Sequence, residues 1–251
     1  MPKVSIITAT YNSEEFIKET WLSIKNQSFT DWEWLITDDC STDGTISILE
    51  SLSQQDNRVR IFRNNVNSGA AVSRNLSLSQ ARGEFIAFID SDDLWTSEKL
   101  SIQLAFMERE GHNFTFTGYS LISEAGNTID KTIDVSRSQC AFGYRDMLLK
   151  KATLGCSTVM LRRTAFSDLT MPNIRTGQDY ALWLKLLKSD AGKAFLIDKP
   201  LMHYRIVTNS ISRNKIKKAR RQWSIYREIE NLSLPDTLYC FTNYVIRAFI
   251  R

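Results

Sequence analysis

Four short apolar runs, Val4 to Thr10, Glu33 to Thr37, Val59 to Phe62 and Phe85 to Ile89, recur at nearly even spacing, and a segment of helical periodicity separates each from the next. In the first such segment Ile17, Trp21 and Ile24 recur at helical spacing, and Asn12 with Glu15 three residues on predicts a capping-box start. The second begins near Asp43, which suits an N-cap, and carries Ile46, Leu49 and Leu52 as its stripe. The third runs from about Ala70 to Ala81 and is rich in small residues that pack closely on a sheet. Such alternation predicts right-handed βαβ units around a mostly parallel sheet, an α/β fold.

Beyond residue 96 the pattern changes. A helix is predicted over about Ser97 to Glu110, then strands at Asn113 to Ile122 and Thr128 to Asp134, joined by a hairpin turn at Glu124-Ala125-Gly126-Asn127. A strand-like run from Cys156 to Leu161 precedes a helix from Asp179 to about Lys188. Neither an internal repeat nor a low-complexity linker interrupts the chain, so residues 1–96 and 97–212 read as two lobes of one fold, with 213–251 as a helical extension. In that extension Arg213 to Arg227 carries seven basic residues and no acidic ones, while Ile216, Ala219, Trp223 and Tyr226 keep helical spacing. This basic amphipathic helix either packs on the core or meets an anionic membrane surface. Leu238 to Ile250 is apolar almost all round yet too short to span a bilayer.

In open sheets of this kind ligands bind outside the carboxyl ends of the strands. Three polar clusters fall there: Thr8-Ala9-Thr10-Tyr11-Asn12, Asp38-Asp39-Cys40-Ser41-Thr42-Asp43 and Asp90-Ser91-Asp92-Asp93. The last sets three carboxylates within four residues, a crowding that raises their pKa values unless a cation joins them. A hard divalent ion bridging to phosphate is such a partner.

With 251 residues and 43% hydrophobic content the chain can bury a substantial core. Its net charge of +4 is too small to predict nucleic-acid binding. The four cysteines form no C-x-x-C pair, which suits reduced thiols in a cytoplasmic protein, and the first 12 residues lack the pattern of a signal peptide. No G-x-x-x-x-G-K-[ST] or G-x-G-x-x-G loop occurs, which excludes a P-loop NTPase and an ordinary dinucleotide enzyme.

Several motifs in order resemble the family 2 glycosyltransferases, inverting enzymes of the GT-A fold. They are Val4 to Asn12, Asp38-Asp39-Cys40-Ser41-Thr42-Asp43-Gly44-Thr45, Asn67-Ser68-Gly69 with Ser73-Arg74-Asn75, Asp90-Ser91-Asp92-Asp93-Leu94-Trp95, Gln178-Asp179-Tyr180-Ala181-Leu182-Trp183, and Tyr204-Arg205 with Asn209-Ser210-Ile211-Ser212. The resemblance spans roughly residues 3 to 214 and implies a GT-A domain over 1–212, with donor binding in 1–96 and acceptor binding in 97–212. It implies transfer of a hexose or N-acetylhexosamine from a UDP-sugar to a saccharide acceptor, polyprenyl-diphosphate-linked, in O-antigen or other surface-polysaccharide synthesis at the inner face of a bacterial membrane. Thr8, Thr10, Tyr11, Asp39, Arg74 and Asp90 are then expected around the nucleotide sugar. Asp92, supported by Asp90, is expected to hold Mn²⁺ or Mg²⁺, and Asp179 to be the catalytic base.

Each residue also has a plainer reading. Asp39 would be a turn aspartate, Tyr11 packing, Arg74 a salt-bridge partner, Asp92 or Asp93 a cap of the following turn, and Asp179 a carboxylate complementing a helix N-terminus. His203, without a partner histidine, reads as packing or hydrogen bonding. Gln178 stands where many relatives carry an acidic residue, and Val207 where many carry a second histidine. Two rival functions remain open: a sugar nucleotidyltransferase, which the absence of a glycine- and basic-rich loop after the first strand disfavours, and a membrane-associated scaffold, which intact Asp90, Asp92 and Asp179 disfavour.

Overall fold

The computed structural model describes residues 1–188, 192–207 and 215–250, the side chains of 215 and 248–250 excepted. Its first part alternates as the hydrophobic pattern predicts: β1 (Val4–Thr10), α1 (Ile17–Lys25), β2 (Trp32–Asp38), α2 (Thr45–Gln55), β3 (Val59–Arg63), α3 (Ala70–Ser79) and β4 (Phe85–Phe88). These four strands are parallel in the order β3-β2-β1-β4. The chain moves outward from β1 to β3 and then crosses to the other side of β1, so the strand order reverses between β1 and β4. Crevices at such a reversal receive ligands.

The remainder adds β5 (Leu94–Trp95), α4 (Lys99–Glu110), β6 (Phe114–Ser123), β7 (Thr128–Ile133), β8 (Ala141–Gly143), α5 (Tyr144–Leu148), β9 (Met160–Arg162), α6 (Gln178–Lys188) and β10 (Lys193–Ile206). Antiparallel β9 extends the sheet from β4 through β6 and β10 to β5. The predicted hairpin closes β6 on β7, with Gly126 at φ 83°, where a side chain would be strained.

Period-two alternation along the strands divides the core. Val4, Ile6, Trp34, Ile36 and Phe85 face α1, α2 and α4, where Trp21 stacks on Trp34 at 5.5 Å and meets Trp32 edge-on at 6.1 Å. Ile7, Leu35, Ile86 and Phe88 face α3, α5 and α6. The second layer also takes in the C-terminal segment, α7 (Lys215–Ser224), a π-helical turn (Ile225–Ile229) and α8 (Leu234–Ile250). Ile225 and Tyr226 are buried there, and the Tyr226 hydroxyl donates to the Leu148 carbonyl at 2.6 Å. Tyr144 donates to Glu230 at 2.5 Å, and Lys188 pairs with the same carboxylate. Thus the extension packs on the core. α8 buries Thr237, Cys240 and Tyr244 and exposes Leu234, Leu238, Tyr239 and Ile246 on its opposite side.

Several elements depart from the sequence reading. The capping box at Asn12 does not form: α1 starts at Ile17 after a turn held by the Ser13 carbonyl, and Asn12, at φ 49°, spends its side-chain oxygen on the Thr42 amide at 2.8 Å. Gly44 occupies the N-cap position of α2, while Asp43 accepts from the Thr45 amide at 3.0 Å. The run from Cys156 opens as a 3₁₀ turn (Cys156–Thr158) before β9. The expected helix at Arg213 is observed from Lys215, and Asn209-Ser210-Ile211-Ser212 with Arg213 lies outside the described residues.

Candidate active site

The loops after β1 and β2 are stitched together before any ligand is considered. The Asn12 amide donates to Ser41 Oγ at 2.9 Å, and Ser41 Oγ donates to Asp38 at 2.5 Å. Asp39 is 4% exposed, and its carboxylate collects the Asn64 side-chain amide at 2.7 Å, the Ser68 amide at 2.8 Å and the Gly69 amide at 2.7 Å. Gly69 sits at φ 89°, a conformation that aims its amide and that other residues rarely adopt. A carboxylate offers about four acceptor positions. Three are taken by the described residues, two on Oδ1 and one on Oδ2, which leaves one on Oδ2 for a ligand N–H.

The residues at the end of β1 and just after it separate into different environments. Tyr11 is 49% exposed and is not a packing residue. Thr10 is buried, with a hydroxyl that has no partner among the described residues. Thr8 does not line the cleft. Its side chain is fully buried on the Trp34 face, donating to the Ile89 carbonyl at 2.9 Å and accepting from Trp34 Nε1 at 2.9 Å.

Arg74 on α3 joins the two acidic parts of the site. It is 5% exposed and donates from Nη2 to Asp90 Oδ1 at 2.5 Å, while its buried Nε and Nη1 have no partner among the described residues. Burial works against its charge, but the acidic groups of Cys156, Asp90 and Asp179 around it outweigh that and carry its pKa above the ordinary arginine range. Asp90 through this bond and Asp179 through its charge, far apart in the chain, thus act on one guanidinium, and α3 packs against α6. Asp179 lies in the first turn of α6, partly buried, and its carboxylate accepts no hydrogen bond from the described residues. Gln178 beside it is buried, its side-chain oxygen unpartnered among the described residues.

Burial first, and then the neighbouring Asp90 carboxylate, push Asp92 up to about 6. Burial and a neighbouring like charge both favour the protonated carboxyl, and the Arg74 guanidinium, already bonded to Asp90, offsets this only in part. The described residues contain no group of three or more ligating side chains, so Asp92 and Asp90 offer a divalent ion at most this carboxylate pair. Magnesium and manganese sites on nucleotides fit such a set, because phosphate oxygens and water complete the shell. Asp92 and Asp90 would hold the ion.

Asp93 is not a cap. It is 1% exposed, and its carboxylate accepts from Ser157 Oγ at 2.5 Å and from the Arg205 amide at 3.1 Å. His203 has the structural role expected of it, with Nδ1 and Ser120 Oγ hydrogen-bonded at 2.6 Å and its pKa lowered by burial. Sequence reasoning missed Ser157 and Thr20, and assigned Arg205 no role, although all three hold the Asp90–Asp93 loop. It also missed Arg175, whose Nη1 donates to Asn67 at 3.1 Å and so links the loop before Asp179 to the segment that braces Asp39.

Comparison with known proteins agrees with this architecture. The profile described as Glycosyl transferase family 2 matches residues 5–170. A Bacillus subtilis (strain 168) protein named for teichuronic acid biosynthesis, the glycosyltransferase TuaG, is 45% identical over 98% of this chain and 96% of its own length. An Escherichia coli protein, the UDP-Glc:alpha-D-GlcNAc-diphosphoundecaprenol beta-1,3-glucosyltransferase WfgD, is 34% identical over 97% of this chain and 92% of its own. Among solved structures, S. aureus TarS residues 1–349 in complex with UDP-GlcNAc superposes with a TM-score of 0.73 at 23% identity, covering 98% of this chain and 72% of that one. The mannosyltransferase PcManGT of Pyrobaculum calidifontis, in complex with GDP-Man and Mn²⁺, gives 0.70 at 16% identity, covering 97% and 69%. Both structural likenesses establish the GT-A fold. With a profile match across most of the chain and full-length relatives above 30% identity, this protein belongs to glycosyl transferase family 2.

Proposed function

We propose that this chain is an inverting glycosyltransferase that moves a hexose or N-acetylhexosamine from a UDP-sugar to a polyprenyl-diphosphate-linked saccharide during bacterial surface-polysaccharide synthesis. The observation that carries the reading is buried Arg74, which bonds to Asp90 and feels the charge of Asp179, and so links the donor side to a carboxylate that accepts no hydrogen bond from the described residues. Relatives named for UDP-glucose transfer to a diphosphoundecaprenol-linked sugar support the donor and acceptor classes.

Residues 1–96 would hold the donor. Asp39 accepts the uracil imide N–H on its remaining position, Tyr11 covers the base from the rim, and the Arg74 N–H groups that have no partner among the described residues meet the diphosphate or the sugar. A divalent ion held by Asp92 and Asp90 would supply charge neutralisation for the leaving diphosphate. From the 97–212 side, Asp179 takes the proton of the acceptor hydroxyl as that oxygen attacks the anomeric carbon opposite the leaving nucleotide.

The lipid-linked acceptor gives the C-terminal helices a purpose. No helix among the described residues is long and apolar enough to cross a membrane. Exposed Lys217 and Arg220 on α7 and the apolar stripe of α8 suit peripheral contact with an anionic cytoplasmic leaflet. A screen of UDP-sugars with Mn²⁺ and a synthetic lipid-diphosphate saccharide tests the whole reading. It predicts turnover with at least one UDP-sugar, and pyrophosphate release from UTP and a sugar phosphate instead would replace it with nucleotidyl transfer.

A further inference from the structure

The loop carrying Asp90 and Asp92 is held by buried hydrogen bonds from Arg205, Ser157 and Thr20. Arg205, near the end of β10, is the centre of this arrangement. Its side chain is 1% exposed, and it donates from Nε to the Asp92 carbonyl at 2.8 Å, from Nη1 to the Glu124 carbonyl at 2.8 Å and from Nη2 to Glu19 Oε2 at 2.6 Å. Its guanidinium also lies 4.9 Å from the Phe16 ring. The Arg205 amide donates to Asp93, Asp93 receives the Ser157 hydroxyl, and that hydroxyl accepts the Asp90 amide at 3.0 Å. Thr20 Oγ1 lies 3.0 Å from the carbonyls of both Ser91 and Asp93.

The pattern is specific in what it fixes. The amide of one candidate ligand residue and the carbonyl of the other are each tied to a buried partner, so both carboxylates leave a backbone that cannot turn. Only a planar fork reaches three acceptors lying in different directions, which a single ammonium does not. We propose that Arg205 is a positioning residue for the metal loop, acting directly on Asp92 and through Asp93 and Ser157 on Asp90. The end of β10 thereby sets the aim of the donor-side carboxylates. The proposal rests on the reading that Asp92 and Asp90 hold a divalent ion.

The test uses the full chain. Mn²⁺ binding in the presence of UDP is followed by electron paramagnetic resonance for wild type, Arg205→Lys and Ser157→Ala, with melting curves and steady-state kinetics on the same samples. Both variants are expected to remain folded and to bind Mn²⁺ about tenfold or more weakly. The KM for the UDP-sugar should rise in parallel, with kcat at saturating Mn²⁺ and donor within about threefold of wild type. Wild-type Mn²⁺ affinity in the folded variants, or a loss no larger than the loss of folded protein, overturns the positioning role. Should Arg205→Lys fail to fold, Ser157→Ala decides alone, since it removes only the relay between Asp93 and Asp90. Absence of Mn²⁺ binding by wild type would instead overturn the metal reading itself.

Discussion

Replacing Asp92 by asparagine should make the metal-free protein more stable while destroying its donor site. Burial and Asp90 raise this carboxyl from an ordinary 3.8 to about 6, a penalty on the ionised form of about 3 kcal/mol at about 1.36 kcal/mol per pH unit. A raised carboxyl pKa means that folding favours the protonated form. The destabilisation is absent below pH 3.8, grows between 3.8 and about 6, and is complete above 6. Asparagine carries no charge, so Asp92→Asn should gain about 1–3 kcal/mol at pH 8, or roughly 2–12 °C in Tm for a chain of this size. The assay is thermal and urea unfolding of both proteins in chelator at pH 4 and pH 8. Mn²⁺ with UDP at about 100 times Kd should then stabilise wild type by about 2.7 kcal/mol and leave the variant unmoved. An Asp92→Asn protein no more stable than wild type at pH 8, or a difference equal at both pH values, refutes the electrostatic argument.

Other outcomes follow from single groups. Asp179→Asn should lower kcat by about 10²- to 10⁴-fold, the usual worth of a general base, with UDP and Mn²⁺ binding by calorimetry within a few-fold of wild type. Lys99 is fully buried, with Nζ lacking a hydrogen-bond partner among the described residues and 3.8 Å from the centre of the Trp95 ring, and burial drives its pKa well below 10.5. The neutral form is favoured in the fold, so wild type gains stability as pH rises toward 10.5. Lys99→Met should raise Tm at pH 7, by an amount that shrinks between pH 7 and 10. Leu238→Glu with Ile246→Glu should weaken sedimentation with anionic vesicles about tenfold and leave transfer to a water-soluble acceptor unchanged.

The edge of the sheet where the candidate site lies was legible because strand ends announce themselves. The β1, β2 and β4 runs are apolar and end in polar clusters, which the parallel order brings to one edge of the sheet, whereas the choice of Asp39, Asp90 and Asp92 within those clusters comes from the motif resemblance. Thr8, which the motif resemblance places at the nucleotide sugar, is buried instead. Closeness to a strand end says nothing about which face a side chain takes, and period two turns Thr8 inward with Ile6. β10 escaped notice because Asp198-Lys199-Pro200 breaks its apolar pattern, while the sheet accommodates the break by register shifts against β6 on either side of Pro200. Ser157 and Thr20 carried no local signal at all. Their partners lie 64 and 73 residues away in the chain, and only the folded sheet brings them together.

The central claim is a single-base displacement with Asp179 on the face opposite the nucleotide. The anomeric configuration of the product made by wild type from an α-linked UDP-sugar, read by proton NMR, tests it most directly. Single displacement gives a β-linked product, and an α-linked product would rule it out.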